Sequence, residues 1–188
     1  AVMGGGFALA LMGRFDRLAV VAARGHQVED QVEGLLRYLT AFAEIWGLVL
    51  AGEFDAADDL AAEIVKISSP GQYLGWAMGN QLASMVEVAR GRFPDAVSRM
   101  EQTVAALPSE STAAWSFPAR LLLAQSYCAL GQIDAGARMV AELRMRSGKH
   151  LALFGPQLRL TEGWLAAAQG NVSGAIEFAL DAAYLASE

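Results

Sequence analysis

Charge is scarce in this chain, and clustered positive charge is missing altogether. Only 18% of its 188 residues are charged, against about 25% in an ordinary globular domain. The balance is acidic, with a net charge of −6. Nucleic-acid binding needs clustered cations that displace phosphate counterions. Arg14, Arg24, Arg92 and Arg138 stand singly, which argues against direct DNA contact by this segment. Cysteine occurs once, as Cys128, so no internal disulfide framework exists and a reducing, cytoplasmic compartment is expected. Histidine occurs only as His26 and His150, neither with a cysteine or carboxylate at metal-ligand spacing. Both read as exposed residues of connecting segments. Strand signals are nearly absent: no Asn-Gly or Asp-Gly pair and no sustained alternation. The apolar opening, residues 1–12, lacks a cationic leader and is too short to span a bilayer, so it reads as an ordinary helix.

What the chain has instead is apolar mass and a recurring turn. Hydrophobic residues make up 54%, enough for a large core and for some apolar surface left to a partner. The stretch Gly52-Glu53-Phe54-Asp55-Ala56-Ala57 reads as Gly-x-apolar-x-x-small. It recurs at Gly13 with Phe15 and Leu18, at Gly91 with Phe93 and Ala96, at Gly131 with Ile133 and Gly136, and at Gly170 with Val172 and Ala175. The glycines are 39 (13 to 52), 39 (52 to 91), 40 (91 to 131) and 39 (131 to 170) residues apart. A fixed period of this size marks a stacked repeat architecture. Each glycine is expected to take positive φ at a helix C-terminus. The small residue five positions later lets two helices approach.

An apolar helix-forming stretch precedes each turn and an amphipathic one follows. Ala57, Leu60, Ala61, Ile64 and Val65 recur at three- and four-residue spacing, the stripe of a helix buried on one side. Gly25-His26-Gln27 reads as a break between the first two units. Ser68-Ser69-Pro70-Gly71 reads as a stop and restart, and Pro108 as a close. Residues 109–116 read as the longest irregular linker, with Pro118 opening the fourth pair. Gly148-Lys149-His150 and Gly155-Pro156 bracket the last connection. The expected fold is all-α: a superhelical stack of about five antiparallel helix hairpins, forming one domain over residues 1–188.

This pattern resembles the tetratricopeptide repeat. That family has Gly, an aromatic two residues on and Ala five residues on, matched here by Phe15, Phe54 and Phe93 and by Ala57, Ala96 and Ala175. The small residue seven before the glycine is present as Gly6, Ser84, Ala124 and Gly163, while Ile45 departs. The large apolar residue eight before it is kept at Leu123 but becomes Glu44 and Glu162 elsewhere. The period also exceeds the usual ~34 residues. Long, alanine-rich, degenerate repeats resemble the helical sensor domain of the large ATP-binding regulators of the LuxR/MalT class. The resemblance implies a fragment of a larger multidomain protein, with an ATPase before it and a DNA-binding helix-turn-helix after it.

No set of convergent titratable groups points to an enzyme, and no cofactor is implied. Cys128 reads as a buried structural thiol. Gly4-Gly5-Gly6 lacks the Gly-Lys-Ser/Thr of a phosphate loop and reads as close helix packing. The acidic cluster Asp55, Asp58 and Asp59 sits at a helix start, where the macrodipole favours carboxylates.

Tetratricopeptide domains bind along the concave surface of their first helices, including positions ten and six before the turn glycine. Those positions hold Met3 and Phe7, Phe42 and Trp46, Gln81 and Met85, Leu121 and Gln125, and Leu160 and Trp164. A groove of this composition suits an apolar peptide, an amphipathic helix or a small-molecule inducer stacked on tryptophan. The competing reading has the same side chains filling a tightly wound interior. The expected function is ligand or partner sensing and oligomerisation within a LuxR-type transcriptional regulator. A stand-alone protein-protein interaction scaffold is the alternative. Self-association is expected through terminal helices that lack a neighbour, and no membrane contact is expected.

Overall fold

The computed structural model describes residues 2–29, 36–68, 73–107 and 113–187. Among the described residues it is all-helical, with ten α-helices in sequence order and no strand. These are α1 (Val2–Leu11), α2 (Phe15–Glu29), α3 (Leu36–Ala51), α4 (Phe54–Ile67) and α5 (Tyr73–Ala89), then α6 (Phe93–Ala106), α7 (Ala113–Ala129), α8 (Ile133–Arg146), α9 (Gly155–Ala168) and α10 (Val172–Ser187). A 3₁₀ turn, Lys149–Phe154, leads into α9.

The five turn glycines are the described residues with positive φ, from 66° at Gly13 to 80° at Gly52. Around each, the same two hydrogen bonds close the preceding helix. The Glu53 amide donates to the Leu48 carbonyl at 2.8 Å and the Gly52 amide to that of Val49 at 3.2 Å. The pairs Arg14–Leu9, Arg92–Glu87, Gln132–Tyr127 and Asn171–Ala166 repeat the first of these bonds at 2.8–2.9 Å. This is the Schellman arrangement, which uses a left-handed residue to satisfy carbonyls that the helix end leaves open.

The chain forms two compact units, Ala1–Arg92 and Phe93–Glu188. In the first, α1 packs on α2 and α3, α2 on α3, and α3 on both α4 and α5. Ala10, Leu18 and Ala43 form a buried cluster, with Leu9 and Trp46 against it. Missing side chains set the spacing here. A Cβ placed on Gly6 would lie 2.8 Å from the Ala43 Cβ, so α1 and α3 meet where no side chain intervenes. Ala57 and Ile45 are fully buried.

In the second unit α7 packs on α6, α8 and α9, and α9 packs on α10. Phe117, Leu121, Ala124, Val140, Leu143 and Leu151 make its buried cluster, flanked by Met139, Phe154, Leu158 and Leu165. Ala96, five residues after its turn glycine, is fully buried. A Cβ on Gly136, at the same register, would sit 2.8 Å from the Cys128 sulfur.

Three boundaries differ from the sequence reading, each for a tertiary reason. Gly25 does not break the chain, because α2 continues through it to Glu29. A Cβ there would come within 2.7 Å of the Thr40 Cγ2 and Oγ1, so this glycine admits α3. Pro118 does not open a helix but lies buried inside α7, which starts at Ala113. It stands early enough to disturb a single turn, while Phe117, Ala119 and Leu121 around it are buried. The last connection is helical too, since Lys149–Phe154 forms the 3₁₀ turn and Pro156 falls in the first turn of α9. The restart at Pro70 and the close at Pro108 lie outside the described residues.

Candidate functional site

The side chains ten and six positions before each turn glycine separate into buried and open groups. In the first unit Phe7, Phe42 and Trp46 form a three-ring cluster. Its centroids lie 5.7 Å apart for Phe7–Phe42, 5.6 Å for Phe7–Trp46 and 6.5 Å for Phe42–Trp46. The two Trp46 contacts are edge-on, which aligns ring edges with the electron-rich faces. Phe7, Phe42 and Met85 are buried, and Trp46 is partly exposed.

Gln81, on α5, is 1% exposed. Neither its amide oxygen nor its amide nitrogen has a hydrogen-bond partner, and the same holds for the Ser84 hydroxyl and the Trp46 Nε1. A buried polar atom left unsatisfied costs about 1–3 kcal/mol. Such groups are a reason to look for a ligand or water that would complete them.

In the second unit the amide of Gln125 is satisfied. Its Nε2 donates to the Thr161 hydroxyl at 2.8 Å, and that hydroxyl donates to the Gln157 carbonyl at 2.8 Å. Leu121 is buried, whereas Leu160 and Trp164 are exposed. The Trp164 ring meets the edge of Phe93 at 6.2 Å. The side chain of Met3 lies outside the described residues, as does that of His150. Chemically, these positions offer apolar and aromatic contact with unsatisfied amide and indole groups.

Of the titratable residues singled out from the sequence, His26, Asp55 and Asp58 form ion pairs and Cys128 is buried. His26 does not lie in a connector: it sits in α2, its side chain 41% exposed and its Nε2 2.7 Å from the Glu44 Oε2. Asp55 and Asp58 hold arginines. Arg90 binds Asp55 and donates from Nε to Asp58 at 2.6 Å, Arg92 reaches Asp58 at 2.7 Å, and the Arg90 guanidinium lies over the Phe54 ring. Among the described residues no group of three or more His, Cys, Asp or Glu could hold a metal ion. No helix among them is long and apolar enough to cross a membrane.

Cys128 is free and buried, and burial pushes its thiol above the usual range. The thiolate is the reactive species. Cys128 is therefore expected to react with a thiol reagent far more slowly in the native protein than in denaturant. Equal rates at one pH would show that the thiol is open.

The register also shows what composition hid. Glu44 and Glu162, the two acidic departures from the repeat, each meet the basic residue 18 positions upstream. His26 reaches Glu44, and Arg144 reaches Glu162 through its Nε. Arg159 adds a second bond to Glu162 at 2.8 Å. A basic residue 13 after one glycine and an acid eight before the next was a signal available in the sequence. Comparison of the chain with protein families, with curated proteins and with solved structures found no match.

Proposed function

We propose that the chain is a helical-repeat binding segment, a superhelical stack of five hairpins that senses an inducer or protein partner within a LuxR-type transcriptional regulator. The observation that carries the repeat is the recurrence of one turn, with the same positive-φ glycine and the same two closing hydrogen bonds, at five places. The regulator reading rests on the resemblance of long, alanine-rich repeats to that class. Binding is supported by the unsatisfied Gln81 amide, which stands at the register position that holds Phe42 one repeat earlier. For sensing, the ligand must favour one helical arrangement over another, since equal affinity for both shifts nothing.

The coding sequence on either side of these residues tests the regulator reading. A Gly-x-x-x-x-Gly-Lys-Ser/Thr loop upstream and a basic helix-turn-helix downstream support it. If both are lacking, the scaffold reading takes its place.

Gln81→Met tests the binding register itself. Methionine keeps similar volume and removes the unsatisfied amide, so thermal stability is expected to rise by about 1 kcal/mol. Tryptophan-fluorescence response to a screened inducer is expected to weaken in the same variant. A fall in stability would show that the amide has a partner in solution and belongs to the packing.

A further inference from the structure

One buried carboxylate in the second unit holds two arginines and leaves most of their donors unused. Glu162 of α9 has 4% of its side chain exposed. Its Oε1 accepts from the Arg144 Nε of α8, and its Oε2 accepts from the Arg159 Nη1 at 2.8 Å. Each carboxylate oxygen is therefore engaged by a different guanidinium. Arg144 binds through Nε alone, and its two Nη groups make no hydrogen bond among the described residues. The Arg144 side chain is 56% exposed and that of Arg159 43%. The Arg159 guanidinium also lies over the Phe178 ring of α10, its carbon 5.9 Å from the ring centroid. That contact and the bond to Glu162 restrain the plane of the group.

The second arginine exceeds what the acid requires. Glu44 stands at the same register, eight before its turn glycine, and meets His26 as Glu162 meets Arg144. The residue eleven before the turn glycine is Arg159 in the later repeat but Ala41 in the earlier one. The later joint thus sets two cations on one anion, a local positive surplus in a chain whose net charge is −6. Among the described residues no carboxylate other than Glu162 pairs with either arginine. Two neighbouring guanidinium groups repel each other, and a second anion beside them would relieve that repulsion.

We propose that Arg144 and Arg159 form a site for an oxyanion, the carboxylate or phosphate group of a small ligand. The planar guanidinium offers paired N–H donors that match two oxygens of such a group. Glu162 is the buried post that holds both cations in place before the ligand arrives. Part of the entropy cost of ordering two long side chains is then met in the free protein, which leaves more of the contact energy for binding. The inference is independent of whether the chain belongs to a regulator, and its failure leaves the Gln81 register untouched.

The test titrates the whole chain with sodium phosphate and, separately, with sodium succinate, at an ionic strength held constant with sodium chloride. Arginine Nε–H signals of nitrogen-15-labelled protein report on the site, assigned through the variants Arg144→Lys and Arg159→Lys. Saturable shifts of the Arg144 and Arg159 signals are expected, with an affinity at least about tenfold that of chloride. Tighter binding of phosphate assigns a phosphorylated ligand to the site, and tighter binding of succinate a carboxylate. Arg144→Lys keeps the charge and removes the planar fork, so it should weaken binding by about tenfold. Arg138→Lys, elsewhere on α8, should leave binding unchanged. Shifts no larger than chloride produces at equal ionic strength overturn the proposal, as does equal weakening in Arg138→Lys. The wild-type titration decides the matter even if a lysine variant folds poorly.

Discussion

Leu143→Ala is expected to destabilise the protein by about 2–5 kcal/mol. Leu143 is fully buried, and its cluster includes Phe117, Leu121, Val140 and Leu151. The substitution removes apolar contact and leaves a cavity that these neighbours close only in part. In a protein of this size that corresponds to a fall of roughly 2–4 °C per kcal/mol in melting temperature. Thermal unfolding followed by circular dichroism checks the magnitude. Hydrogen exchange should place the loss of protection first in α7, α8 and the 3₁₀ turn. A shift indistinguishable from that of an exposed substitution such as Met145→Ala would show that the side chain is not enclosed.

The second large effect comes from stranding a charge. Glu162 has 4% of its side chain exposed and binds Arg144 and Arg159 at once. Replacing both arginines with methionine leaves a buried carboxylate without its partners, a loss of about 3–5 kcal/mol. Adding Glu162→Leu removes the charge as well and should restore most of that stability, because an apolar side chain of similar size needs no partner. The order of stability, wild type and triple variant above double variant, is the result to look for in urea unfolding. A double variant as stable as wild type would show that water already solvates Glu162 and that the arginines matter little.

These two sites illustrate what a sequence can disclose. The turn glycines were legible because the demand on them is local. Positive φ is a property of one residue, and the same one-residue demand returns every 39 or 40 positions. Helix identity was equally legible from the spacing of Ala57, Ala61 and Ile64, all of which are buried in α4. Gly25 was not, because its reason is Thr40 on the next helix. Pro118 was not either, since its cost to α7 is local while the burial around it is tertiary. The ten positions expected to line a groove follow from register, yet register alone could not sort buried Phe7, Phe42, Gln81 and Met85 from exposed Leu160 and Trp164. Which side chain is covered depends on what packs above it.

The helix lengths carry a consequence for how this chain tolerates change. The return helices α4, α6 and α8 are each 14 residues long, and α5 and α7 are each 17. Yet Gly91 and Gly131 are 40 residues apart where the neighbouring glycines are 39 apart. The additional residue falls between the helices: five positions separate α4 from α5 (68 to 72), and six separate α6 from α7 (107 to 112). Inside a helix, one inserted residue would rotate everything beyond it by about 100°. Ala96, Met100 and Thr103, the buried side of α6, could not then all stay covered. A one-residue insertion within α6 is therefore expected to cost far more stability than one in the connection that precedes α7.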